Sequence, residues 1–285
     1  MARATTLAGY EARVRRVLDH IAANLDGPLD LARMAEVGAF SPFHFHRIWR
    51  AMMGETLADT VRRLRLHRAA VELATGTAPV LRIARRAGYG SAAAFGRAFA
   101  AAHGIPPAAF RARHQPPATP GLPSTRSPAM PIDVAIRDLP AQRLLGIRHV
   151  GSYLEIGTAF DRLAAWAAVR GALGPATRWI GVYHDDPSAT PRDRLRADAC
   201  ITAPEAGAVP ESEVTAIDLP AGRCAVFRHV GPYVELEAAY LRVVRDWLPG
   251  SGEELADRPC FEDYVNDPKT TRPAELITDI HFPLR

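Results

Sequence analysis

The segment "CFEDYVNDP", residues 260–268, sets a carboxyl group and a phenol two residues apart, at Glu262 and Tyr264. On an extended strand successive side chains alternate between faces, so Cys260, Glu262 and Tyr264 share one. At an offset of 81 stands "WIGVYHDDP", residues 179–187, which offers Trp179, Gly181 and Tyr183 at the matching positions. Tyrosine answers tyrosine, but Gly181 answers Glu262. Two facing carboxylates would repel; one carboxylate opposite a glycine leaves space and a single negative charge. That chemistry suits an amphipathic cation, its charge against Glu262 and its rings against Tyr264, Tyr183 and Trp179, where cation–π contact adds about 0.5–2 kcal/mol.

The elements that must hold these residues come from a longer repetition. "LPAQRLLGIRHVGSYLEIGTAFDRL" begins at Leu139 and "LPAGRCAVFRHVGPYVELEAAYLRV" at Leu219. The similarity continues to the end of the chain and defines two copies, 132–205 and 212–285. Each copy reads as strand, helix, strand, strand. Gly151 and Gly231 turn the first strand into a helix, over about 153–170 and 233–248, and Pro232 suits a first helical turn. His149 and His229 alternate with apolar residues and read as structural. Tyr153 and Tyr233, just past each corner, complete the candidate ligand set. Two such modules are expected to pack about a pseudo-twofold axis and leave a cleft, a normal place for a ligand.

The other half is electrostatically opposite. Residues 1–115 hold 17 arginines, no lysine and 8 acids, a net +9, whereas residues 130–285 hold 17 basic and 23 acidic residues, a net −6. Such asymmetry suggests two tasks with different partners. The basic half reads as helices throughout. "DLARMAEVGAFS" and "VLRIARRAGYGS" each give a short helix, a small-residue turn, an aromatic and an N-cap serine, Ser41 or Ser91. A long helix from about Thr56 to Ala74 separates the two units; Leu57, Val61, Leu64 and Leu73 face inward, and Arg62, Arg63, Arg65 and Arg68 cover other faces. His44 and His46 do not form a metal pair, because i and i+2 point to different sides of a helix.

Between the halves lies "HQPPATPGLPSTRSPAMP", residues 114–131, a proline-rich tether. The three cysteines, Cys200, Cys224 and Cys260, show no CxxC spacing and read as buried residues in a reducing cytoplasm. No secretory signal or membrane-spanning run is evident, and neither a metal nor a cofactor is expected.

"LARMAEVGAFSPFHFHRIWRAMMGETLADTVRRLRLHRAAVEL" followed by "IARRAGYGSAAAFGRAFAAAHGIPPAAFR" resembles the AraC-type DNA-binding domain, an all-α tandem helix-turn-helix over residues 1–113. The resemblance implies two recognition helices on duplex DNA. Phe43, His46 and Arg47, with Arg50 beyond, match the base-facing surface of the first, and Ser91, Ala92, Ala93 and Arg97 the second. Ala92 and Ala93 stand where polar readers are common; they can touch a thymine methyl but make no bidentate base contact. Residues 132–285, with their "CFEDYVNDP", resemble the GyrI-like effector-binding domain, an α+β fold in which the late-strand Glu meets cationic, aromatic ligands. Together the halves are similar to Rob-type regulators. The expected partners are double-stranded DNA, a small-molecule effector and RNA polymerase, with no membrane. A GyrI-like hydrolase or a ligand-sequestering protein using Glu262 stays open as the alternative.

Overall fold

The computed structural model describes residues 2–40, 42–115, 132–187, 189–203 and 213–285; the side chains of residues 2–10, 42–44 and 47 are outside that description. Helices come first: α1 (Ala2–Ala23), α2 (Leu31–Val37), α3 (Pro42–Met53), α4 (Leu57–Thr75), α5 (Val80–Arg86), α6 (Ala92–His103) and α7 (Pro107–His114). Strands β1 (Val134–Leu139) and β2 (Gln142–Val150) lead to α8 (Gly157–Arg170), β3 (Trp179–Tyr183) and β4 (Arg196–Thr202). The order recurs with β5 (Val214–Leu219), β6 (Gly222–Val230), α9 (Leu236–Arg242), β7 (Cys260–Tyr264) and β8 (Ile277–Pro283). A helical region is thus followed by an antiparallel sheet-rich domain. The expected tether at residues 116–131 and the N-cap at Ser41 lie outside the described residues.

Local chemistry explains the helix ends. Asp30 caps α2 by accepting the Arg33 N–H at 2.8 Å, and Ser91 caps α6 by accepting the Ala94 N–H at 3.1 Å. The turn between α2 and α3 needs glycine for space: a Cβ on Gly38 would lie 2.5 Å from the Phe40 ring. The turn between α5 and α6 needs it for conformation, since Gly88 has φ +85°.

Each copy carries one strand more than its sequence pattern suggests, at its start. β1 pairs with β6, not with β2, and β5 pairs with β2, not with β6. Both exchanges begin at the same tripeptide, Leu-Pro-Ala at 139–141 and 219–221. A two-residue hairpin needs positive φ at its first central residue, and proline fixes φ near −65°. The tight reversal is therefore blocked, and the strand before the tripeptide pairs with a strand of the other copy.

The compact units cut across chain order. One comprises Met1–Arg65 with Ala141–Pro220; the other comprises Leu66–Pro140 with Ala221–Arg285. In the first unit, strands lie in the order β3-β4-β2-β5. Leu145 and Ile147 of β2 pack with Leu163 and Trp166 of α8. Val14, Val17 and Ile21 of α1, Met34 of α2, Phe45 and Trp49 of α3 and Val61 of α4 form a second core that includes Ala165 of α8. In the second unit the order is β7-β8-β6-β1. Phe227, Ile280 and Phe282 pack under Leu236, Ala239 and Val243. Leu66, Leu73, Ile83, Phe95, Phe99 and Phe110 form the helical core there.

Ion pairs fasten α8 to the helices of the first unit. Arg63 is not a solvated face residue as its spacing suggests. Its Nη2 lies 2.7 Å from Glu55 Oε1 and 3.4 Å from Asp161 Oδ1, and both carboxylate side chains are only 7% exposed. Burial works against the Arg63 charge, but Asp161 and then Glu55 outweigh it and raise the guanidinium pKa. Arg170 meets Glu11 at 2.6 Å, and Glu213 receives both Arg15 and Arg162. Arg65 donates to the carbonyls of Leu25 and Gly27, at 2.9 and 2.7 Å, and ties α4 to the chain just past α1.

Breaking a buried pair by removing one partner costs about 3–5 kcal/mol, because the other charge is stranded. Arg63→Met should therefore lower urea-unfolding stability by about that amount. Adding Glu55→Gln and Asp161→Asn should restore most of it. Equal stability of the single and triple variants would show that the carboxylates are solvated in solution.

Candidate functional site

Glu262 sits in the middle of β7, with 3% of its surface exposed. The Tyr264 hydroxyl donates a 2.7 Å hydrogen bond to Glu262 Oε2. Tyr264 is held in turn by Tyr233, edge to face at 5.3 Å between ring centroids. Tyr233 opens the 3₁₀ turn Tyr233–Glu235 that follows the corner at Gly231. Expected alternation thus brings the carboxyl and the phenol together, and the corner delivers a second ring. A hydrogen bond to a carboxylate contributes about 1.5–3 kcal/mol, which offsets part of the cost of burying it. The neighbouring Cys260 thiol is pushed up to about 12, by burial first and the Glu262 charge second, so it stays protonated and unreactive.

The register adds a residue that spacing did not single out. Thr278 on β8 stands opposite Tyr264 on one side and His229 on the other. Glu262 stands opposite Ile280 in the next row. Thr278 is 0% exposed, and its hydroxyl has no hydrogen-bond partner among the described residues. Burial lowers the His229 pKa. At the same offset of 81, the first copy has Ala197 and Ala199 in place of Thr278 and Ile280. The signal available in the sequence is a threonine on an otherwise apolar strand face, which it shares with Ile280 and Phe282.

The first unit offers rings without the carboxyl. Tyr153 meets Tyr183 edge to face at 4.8 Å, and Trp179 meets Phe160 at 6.1 Å. Gly181 is buried opposite Ala199. The Tyr153 hydroxyl lies 2.9 Å from the Asp185 carbonyl, 3.1 Å from that of Arg196 and 3.0 Å from the Asp185 N–H. Burial raises its pKa to about 12. That hydroxyl is spent on the backbone, so Tyr153 has mainly its ring to offer. His149 Nε2 is 2.9 Å from the Ser152 carbonyl, which braces the strand-to-helix corner.

On the helical side, His46 and Arg50 are exposed on α3, one turn apart on one face. Ser91, Ala92, Ala93 and Arg97 are exposed at the start of α6, with Ala93 and Arg97 again one turn apart. The Ser91 hydroxyl is engaged as the cap. The side chains of Phe43 and Arg47 lie outside the described ones. Among the described residues no group of His, Cys, Asp and Glu could hold a metal ion, and no helix is long and apolar enough to cross a membrane.

A buried hydroxyl without a partner costs about 1–3 kcal/mol. Thr278→Val keeps the shape and removes the hydroxyl, so it should raise stability in urea unfolding by about that amount without ligand. A loss of stability would mean that the hydroxyl is paired in solution.

Known proteins share these parts. The GyrI-like small molecule binding domain family matches residues 132–285, and a helix-turn-helix domain family matches residues 34–113. A DNA gyrase inhibitor of Erwinia billingiae (strain Eb661) is 33% identical over 142 residues, 48% of this chain and 88% of that protein. A protein named "Probable transcriptional regulator YgiV" in Escherichia coli (strain K12) is 30% identical over 157 residues, 54% of this chain and 96% of that protein. Among solved structures, the C-terminal domain of EcmrR has 21% identity and a TM-score of 0.45, covering 55% of this chain and 99% of that domain, a likeness too distant to carry function. With its second half matched from end to end, the chain belongs to the GyrI-like small molecule binding domain family, here preceded by a helix-turn-helix domain of the AraC type.

Proposed function

We propose that the protein is a one-component transcription regulator, binding duplex DNA through α3 and α6 and a cationic, aromatic effector at Glu262. The observation that carries the effector reading is buried Glu262 bonded to half-buried Tyr264, with Tyr233 set against that tyrosine. A carboxyl kept from water and bordered by ring faces gains most from a ligand that brings both a positive charge and apolar surface. Trp179, Gly181, Tyr183 and Tyr153 belong to the same proposal as the counterpart positions of the first copy, and Thr278 joins it. Regulator-type domain composition favours sensing over turnover, so Glu262 acts as a binding group and not as a base. RNA polymerase is the proposed downstream partner.

Glu262→Gln keeps the shape and removes the charge. Calorimetry with tetraphenylphosphonium and with neutral triphenylphosphine oxide should show the cation weakened well over tenfold and the neutral compound changed little. DNA affinity without ligand should not change. Equal losses for both compounds, or none for either, would remove Glu262 from the site. A hydrolase would instead consume ligand in the same mixture, which chromatography reads directly.

For DNA, the net +9 of residues 1–115 supports neutralisation of several phosphates, so affinity should fall steeply as salt rises. In the full chain, Arg97→Ala should weaken all sequences alike and flatten that salt dependence by about one charge. Arg47→Ala should cost about 1–3 kcal/mol of discrimination at one base position. A footprint confined to one groove, or binding insensitive to salt, would count against both assignments.

A further inference from the structure

Three consecutive residues of the second unit touch three different things. Tyr233 lies against Tyr264, the donor to Glu262. Val234 packs into the helical core built from Leu66, Leu73, Ile83, Phe95, Phe99 and Phe110. The Glu235 Oε1 sits 3.3 Å from His114 Nε2 and 3.6 Å from Arg113 Nη2, both in α7. These residues form one 3₁₀ turn, Tyr233–Glu235. From this we propose that the turn is the mechanical link through which occupancy of the Glu262–Tyr264 site reaches the second helix-turn-helix unit. The inference rests on the effector reading above and names how that site is read out.

The path beyond the turn is continuous. His114 stacks on Phe110 at 4.2 Å and bonds its carbonyl through Nδ1 at 2.7 Å. Phe110 meets Phe99 edge to face at 5.2 Å, and Phe99 meets Phe95 at 5.4 Å. Phe95 and Phe99 are the buried face of α6, whose exposed face carries Ala93 and Arg97. A ligand that shifts the backbone at Tyr233 moves a turn whose next two side chains are held in that core and to α7. A tripeptide of one helical turn cannot shift its first residue and leave the other two in place, because close-packed side chains have discrete arrangements, not a continuum.

The two copies differ here in step with their chemistry. In the first copy the matching turn is Tyr153–Glu155, and Glu155 is exposed. The first unit instead joins its helices through the side of α8, at Asp161, Arg162 and Arg170. The copy that has the carboxyl is therefore the copy whose ring-bearing turn grips a helix-turn-helix unit.

The test uses the full chain and measures two affinities separately. Calorimetry gives binding of tetraphenylphosphonium; fluorescence anisotropy gives DNA affinity with and without that cation, on an operator selected from random duplexes. In the wild type the cation should change DNA affinity by a factor within about 5- to 150-fold, the usual range of coupling between sites. Glu235→Gln and Val234→Ala should keep cation binding within about threefold and keep cation-free DNA binding, while the factor falls toward one. Glu155→Gln should leave the factor at its wild-type value. A wild-type factor in both Glu235→Gln and Val234→Ala, with the cation still bound, would overturn the link and leave the effector site standing. Absence of cation binding in the wild type would overturn the effector reading, and the link with it.

Discussion

A guanidinium taken out of water is costly unless carboxylates meet it, and Arg63 meets two that come from distant parts of the chain. Glu55 precedes α4, and Asp161 lies on α8, 98 residues further on than Arg63. Neither acid could be buried without the arginine, and the arginine could not be buried without them. The pair of contacts fixes the side of α8 against the helices of the first unit, so the core around Trp49 and Phe45 closes on Ala165. The residues that present α3 outward therefore rest on the same helix that covers the first copy's sheet.

The second unit solves the same packing task by different means. Its helical core closes on Val234, and its polar contact runs from Glu235 to Arg113 and His114. The polar contact has moved from the middle of a helix to a turn beside the candidate ligand residues. The two copies also differ at their buried faces. Where the first has Gly181 and Ala197, the second has Glu262 and Thr278. Small residues in one copy and polar ones in the other give the protein one chemically distinctive buried face. In the proposed function that face is where the effector is recognised.

Strand exchange is what makes each unit a composite. Leu-Pro-Ala at 139–141 and 219–221 refuses a hairpin, and β1 and β5 each pair with a strand of the other copy, β6 and β2. A unit so built joins a helix-turn-helix segment and most of a sheet module in one fold. Binding at the sheet and presentation of a recognition helix then draw on shared packing, which is the physical basis for the proposed coupling.

Local rules alone settled much of this protein. The paired short helices, the Ser91 cap, the glycine turns and the alternation that sets Glu262 beside Tyr264 all depend on residues within a few positions of one another. Their geometry follows from backbone periodicity, so it was legible before any fold was known. The additional strands β1 and β5 do not show in the strand, helix, strand, strand pattern, although the prolines that direct them are in the sequence. Partnership across the chain was not legible at all. Nothing near Arg63 names Asp161; only an acid inside the apolar stretch "GTAFDRLAAWAAVR" hints that something must meet it. Thr278 and Glu235 acquired their significance in the same way, through neighbours brought from other strands and helices. Such pairings are decided by which faces can be buried together, a property of the whole packed chain and not of any window of sequence.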